Sequence, residues 1–188
     1  FNVLLYSARE IDGTQTLDYF NIFLAPFIKG LDSTRIKEAL RLLISNISQH
    51  TSASLGIELT IPDFIAEKPA LGFSGQIVGK YGDFMEECQL LASILIEIFA
   101  EQSSVKPLFN PKLILKIRPE ALADERAKAI LLKAHHLASE KGIPYFANLL
   151  EKSQKCTVFS ASGCKLEADL NNDWEVDTLR TGCLGFVT

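Results

Sequence analysis

Leu113-Ile-Leu-Lys-Ile117 is followed by Asp124-Glu-Arg-Ala-Lys-Ala-Ile-Leu-Leu-Lys-Ala-His-His-Leu-Ala-Ser-Glu-Lys-Gly142 and then by Pro144-Tyr-Phe-Ala-Asn-Leu149. The outer pieces are short and rich in apolar and aromatic residues, as strands are. The middle piece places Ala127, Ile130, Leu131, Ala134, Leu137 and Ala138 at steps of three and four, which makes one apolar helix face. Asp124 is suited to cap the start of that helix, and Gly142 to stop it. Extended, helical and extended segments in succession argue for an α/β arrangement with some parallel pairing.

The same alternation continues on both sides. Leu17, Phe20, Phe23, Leu24, Phe27 and Ile28 predict a helix from about Thr16 to Ile28, kinked at Pro26 and closed by Gly30. Ser33 or Thr34 caps a second, whose Ile36, Ala39, Leu40, Leu43 and Ile47 share one stripe. Asp83 caps a third that runs to about Gln102 and is apolar nearly all round from Leu90 to Ala100, so it should be deeply buried. Leu55 to Ile61 and Thr157 to Phe159 read as strands, and Leu184 to Thr188 begins another.

With 19 Lys plus Arg against 23 Asp plus Glu, the net charge is -4, which invites neither nucleic acid nor an anionic membrane. A composition 47% hydrophobic and 22% charged excludes disordered and fibrous classes and suits one folded, cytoplasmic domain. Uninterrupted apolar runs stay short, because Ser93 and Glu97 break the longest, so no membrane span is expected. The opening Phe-Asn-Val-Leu-Leu has no initiating Met, basic region or cleavage site, which reads as an internal piece of a longer protein with 1–188 as a single partial domain. Cys88, Cys156, Cys164 and Cys183 form no C-x-x-C pair, so neither a disulfide framework nor a metal site is expected within the chain.

Several residues could carry chemistry. His135 and His136 are neighbours on a helix and project about 100° apart, so they cannot share a metal; one should pack and the other face solvent. Gly72-Phe-Ser-Gly75-Gln-Ile-Val-Gly79-Lys-Tyr-Gly82 could cradle phosphate on backbone N–H groups, yet it fits no phosphate-binding fingerprint and reads as a plain loop. Lys112, Lys116 and Arg118 alternate along a strand, either as a solvated edge or as phosphate contacts. Cys88 is expected to be a small buried hydrophobe. Cys164 sits in Ser160-Ala-Ser-Gly163-Cys164-Lys165, small residues between two extended segments, where Gly163 suits a tight loop tip that would push a sulfur outward. Cys183, in Thr181-Gly182-Cys183-Leu184-Gly185, is the other glycine-flanked candidate.

Four stretches, in order, resemble the anaerobic (class III) ribonucleoside-triphosphate reductases, which are glycyl radical enzymes. Gln15 with Phe23-Leu24-Ala25-Pro26-Phe27 and Ile36-Lys37-Glu38-Ala39-Leu40 is similar to the family's Gln…Phe-Leu-Ala-Pro-Phe…Ile-Lys-Gln-Ala. Gly142-Ile143-Pro144-Tyr145-Phe146-Ala147-Asn148 is similar to Gly-x-Pro-Tyr-Phe-x-Asn. Ser162-Gly163-Cys164-Lys165 resembles the Met-Gly-Cys-Arg tip that carries the thiyl cysteine. Arg180-Thr181-Gly182-Cys183-Leu184-Gly185-Phe186-Val187-Thr188 is similar to the stretch that runs into Asn-Leu-Pro-Arg.

The resemblance implies part of a ten-stranded α/β barrel with a finger loop through its centre. Cys164 would be the thiyl radical site, Cys183 an alternative or auxiliary thiol, and Ser162, Gly163 and Asn148 substrate contacts. The glycyl radical, the radical SAM activating enzyme that makes it and the zinc site would all lie outside the fragment, which alone should be inactive. Substrate would be a ribonucleoside triphosphate, effectors ATP and deoxynucleoside triphosphates, and the whole protein a homodimer without nucleic acid or membrane partners. Two rivals are a lyase of the pyruvate formate-lyase kind and a non-catalytic nucleotide-binding or dimerisation module. The lyases use adjacent cysteines at the tip, whereas Gly163 precedes a single Cys164.

Overall fold

The computed structural model describes residues 1–10, 15–151, 156–160 and 165–168. In chain order its elements are α1 (Asn2–Glu10), β1 (Gln15–Leu17), α2 (Phe20–Ile28), α3 (Ser33–His50), β2 (Ala53–Glu58), α4 (Asp63–Ala66), β3 (Pro69–Leu71), β4 (Ile77–Lys80), α5 (Met85–Val105), β5 (Lys112–Ile117), α6 (Glu125–Lys141), β6 (Tyr145–Asn148), β7 (Cys156–Phe159) and β8 (Lys165–Ala168). Strands β1, β2, β5 and β6 form one parallel sheet in that order. Antiparallel pairs β3–β4 and β7–β8 stand apart from it.

The stretch from Lys112 to Asn148 folds as expected. Asp124 accepts the Ala127 N–H at 2.6 Å to start α6, and Gly142 ends it at φ 71, where a side chain would be strained. This helix carries the chain from the end of β5 back to the start of β6, so the two strands pair in parallel, Leu115 opposite Phe146. Along β2 and β5, Leu55, Ile57, Leu113 and Leu115 are fully buried and join Leu91, Leu95, Ile98 and Phe99 of α5 in the main core. Each such side chain contributes about 1.5–3 kcal/mol by leaving water. Helix α5 lies over β2 and is flanked by α2, α3 and α6. By length and mean hydropathy the segment Tyr81–Val105 matches a bilayer span, a feature that short uninterrupted runs do not reveal. Its packing is that of a central core helix.

Local differences have local causes. The helix expected from Thr16 begins only at Phe20, because Gln15 to Leu17 pair with Ala53 to Leu55 and Tyr19 turns the chain at φ 51. Asp32 caps α3, its carboxylate accepting the N–H groups of Thr34 (3.1 Å) and Arg35 (3.3 Å), one residue before the expected Ser33. Asp83 accepts the Lys80 N–H at 2.9 Å within a 3₁₀ turn, and α5 starts after that turn. The glycine-rich stretch from Gly72 to Gly82 supplies the connecting loop and the second strand of the β3–β4 hairpin, Ala70 opposite Gly79, so the plain loop its glycines suggest holds only for its first part. The strand expected at Leu184 to Thr188 lies outside the described residues.

Candidate functional site

Parallel strands present all their C-terminal ends at one edge of a sheet, where α/β proteins bind ligands. Here that edge carries Asp18 just after β1, Glu58 closing β2, and Lys116 and Arg118 at and just after the end of β5. Register makes Glu58 and Lys116 cross-strand partners on one face, with Ala147 of β6 beside Lys116. That face is the one turned away from Leu55, Ile57, Leu113 and Leu115, since strand side chains alternate.

The four charges are shut away from water: Glu58 and Lys116 are 0% exposed and Arg118 5%. Lys116 Nζ lies 2.7 Å from Asp18 Oδ1 and 3.7 Å from Glu58 Oε1. Arg118 grips Glu58 with two bonds, Nη2 to Oε1 at 2.9 Å and Nε to Oε2 at 3.0 Å, the fork geometry that suits a carboxylate. Lys116 Nζ also sits 3.5 Å from the centroid of the Tyr19 ring, and Arg118 5.6 Å from that of Phe64. Formal charges sum to zero, the condition under which buried ions are tolerated.

Backbone details serve this packing. A Cβ on Gly56 would stand 2.0 Å from Asp18 Oδ1, so only glycine lets that carboxylate lie against β2. Buried Asn21 of α2 donates to the Glu58 carbonyl at 2.7 Å and accepts the Glu58 N–H at 3.0 Å, which holds the strand end where Arg118 meets it. Burial is the largest influence on the Glu58 carboxyl and raises it above the ordinary range, against the pull of Lys116 and Arg118. Burial, with the nearby Cys156 and Glu58 adding to it, also pushes the Tyr19 phenol well up, so the hydroxyl keeps its proton.

The cluster seats strand β7. Tyr19 Oη accepts the Thr157 N–H at 2.9 Å and donates to the Thr157 carbonyl at 3.0 Å. Lys116 Nζ donates to that same carbonyl at 2.6 Å, and Asp18 Oδ2 accepts the Phe159 N–H at 3.2 Å. Beyond Thr157 the hairpin pairs Phe159 with Lys165. Cys156, at the base of β7, is half-buried, and its thiol is raised by that burial despite the Tyr19 hydrogen bond and the Lys116 charge.

Of the residues singled out in the sequence, Ser162, Gly163, Cys164 and Cys183 lie outside the described residues. Asn148 is exposed at the C-terminal end of β6, its Oδ1 accepting the Leu150 N–H at 3.0 Å. Cys88 is fully buried, as expected, and accepts from Asn21 at 3.1 Å. Of the two readings of Lys112, Lys116 and Arg118, a solvated edge or phosphate contacts, the solvated edge is corrected for the last two, which are inside because Asp18 and Glu58 supply opposite charges there. As expected, one histidine packs and the other faces solvent: His135, though itself exposed, lays its ring on Phe146 at 4.5 Å and 17°, its Nδ1 bonded to the Leu131 carbonyl at 2.8 Å, and His136 points outward. Asp18, Tyr19 and Glu58 are the residues that sequence reading missed. A signal existed: Glu58 ends an apolar run, and two cations two residues apart interrupt another, so each needs a buried counter-charge if both sheet faces are covered. Among the described residues no three His, Cys, Asp or Glu side chains converge to hold a metal ion.

A family model described as anaerobic ribonucleoside-triphosphate reductase matches residues 1–188. No curated protein and no solved structure matches the chain.

Proposed function

The chain belongs to the anaerobic ribonucleoside-triphosphate reductase family, and from that premise we propose that it forms part of the catalytic barrel and carries the radical cysteine, Cys164, between β7 and β8. The observation that supports this reading most is the hairpin itself, seated by buried charges at the C-terminal edge of the parallel sheet with Phe159 and Lys165 paired on either side of the cysteine segment. In this reading β1, β2, β5 and β6 are barrel strands, and Gly163, Ser162 and the exposed Asn148 contact the nucleotide.

A glycyl radical outside these residues, made by a radical SAM activating enzyme, would supply the unpaired electron and take up the thiol hydrogen of Cys164. Cys164 would then take the 3′ hydrogen of the ribose and return it at the end. Net, the 2′ C–O bond breaks, water leaves and C2′ gains a hydrogen, with two electrons from formate or a thioredoxin-like dithiol. A sulfur radical suits a reversible hydrogen transfer, and the protein's part is placement and exclusion of water. The whole protein would be a cytoplasmic homodimer regulated by ATP and deoxynucleoside triphosphates, with its zinc site elsewhere in the chain.

The test is substitution in the anaerobically activated full-length protein. Cys164→Ser should leave the glycyl radical signal in paramagnetic resonance intact and abolish deoxyribonucleotide formation, because an alcohol O–H bond is too strong to relay the radical. Cys183→Ser should retain at least partial turnover. Full turnover by the Cys164 variant together with loss in the Cys183 variant would reassign the thiyl to Cys183.

A further inference from the structure

We propose that Tyr19, with Asp18 and Lys116, acts as a positioning socket that sets how far the β7–β8 hairpin reaches into the site; this rests on the reading of Cys164 given above. Residues two apart in an antiparallel strand turn their backbone groups to the same side. Thr157 and Phe159 therefore present one edge of β7 to the cluster, and three side chains occupy it where a neighbouring strand would ordinarily pair. Tyr19 alone satisfies both the N–H and the carbonyl of Thr157, at 2.9 and 3.0 Å.

Side chains do something here that a strand would not. Backbone ladders are blind to sequence, so a strand can slip by two residues and keep every side chain on its original face. Such a slip would carry the hairpin tip about 7 Å. The hydroxyl and the ammonium, fixed within a closed set of charges, bond one residue's N–H and carbonyl, and the fully buried Thr157, whose place the bulkier Phe159 would overfill, makes that residue Thr157. Lys116 is immobilised by Asp18 and Glu58, Asp18 by its own contact with the Tyr19 N–H at 2.7 Å and by the space that Gly56 leaves. The socket thus transfers the rigidity of β2 and β5 to a hairpin that is not part of their sheet.

Tyr19→Phe keeps the ring, its place in the core and its contact with Lys116, and removes only the hydroxyl. In the activated full-length reductase it should lower kcat by about tenfold to a hundredfold, the scale of a misplacement near 1 Å. Glycyl radical content should stay within about twofold of the parent, since the radical is made away from the hairpin, whereas nucleotide Kd should rise as Ser162 and Gly163 move with the tip. The deuterium isotope effect on turnover of 3′-deuterated substrate should rise, because hydrogen transfer across a longer gap becomes the slow step. A residue needed only for folding would lower the active fraction and leave that isotope effect unchanged. Parent-like kcat and isotope effect in Tyr19→Phe, with Cys164→Ser inactive, would overturn the socket alone. Turnover in Cys164→Ser would overturn the reading beneath it.

Discussion

The two faces of the parallel sheet are built on opposite principles. Beneath α5 and its neighbours, β2 and β5 offer Leu55, Ile57, Leu113 and Leu115, and among the described residues no buried one on that face is charged. On the other face the same two strands offer Gly56, Glu58, Ile114 and Lys116, and the burial of charge is nearly as complete. Apolar contacts are non-directional and tolerate small shifts, whereas a bidentate ion pair has one geometry. The helix-covered face therefore makes the sheet stable, and the charged face makes its edge specific.

The sharpest way to break that contrast is to unbalance the charges. Lys116→Met leaves two carboxylates facing one arginine and should cost about 3–5 kcal/mol in urea denaturation. Combining it with Asp18→Asn restores neutrality and should cost less than Lys116→Met alone. Leu115→Ala on the opposite face costs about 2–5 kcal/mol whatever its neighbours carry. If the double variant proves worse than the single one, the charged face is held by shape and the contrast fails.

A smaller effect sharpens the geometry. Gly56→Ala should destabilise by about 1–3 kcal/mol, since its methyl would meet the Asp18 carboxylate. In an Asp18→Ala background the same change should be nearly free, and strict additivity of the two in a double-mutant cycle would show that the close approach does not matter.

The mildest effect is a pH dependence. Burial raises the thiols of Cys88 and Cys156 in the folded chain, so they hold their protons where unfolded thiols have lost them. The unfolded state then binds fewer protons, and stability falls as pH rises through about 8.5. Denaturation midpoints should decline from about pH 7 to about pH 9.5, and Cys88→Ala should flatten that slope. An unchanged slope would remove the thiols from the account.

The elements legible in the sequence were those whose signals are local. Helix α6 announces itself through Asp124, Gly142 and an apolar stripe, and β5, β6 and β7 through short runs of strand-forming residues. Strand β1 was hidden because Leu17 happens to fall in helical phase with Phe20 and Leu24, and only its pairing with β2 makes it extended. The β3–β4 hairpin was hidden by glycines that look like a loop. Lys116 and Arg118 read as a solvated edge or as phosphate contacts because their counter-charges, Asp18 and Glu58, belong to other strands, and long-range pairing is not written in any window of the chain. Cys164 and Cys183 stand out by their glycine-flanked settings and take their roles from the resemblance, while the residues that seat β7 emerge only from the packing.

The closed, neutral cluster has a further consequence. Mobile ions screen charges that solvent reaches, over a distance of about 8 Å at physiological ionic strength, and act far less on buried pairs. With Glu58 and Lys116 sealed and the four formal charges cancelling, added salt has neither an entry to the cluster nor a field outside it to damp. Strand β7 is thus held by electrostatics that do not weaken as the ionic composition around the protein changes, a property that exposed ion pairs such as Lys80 with Glu67 do not share.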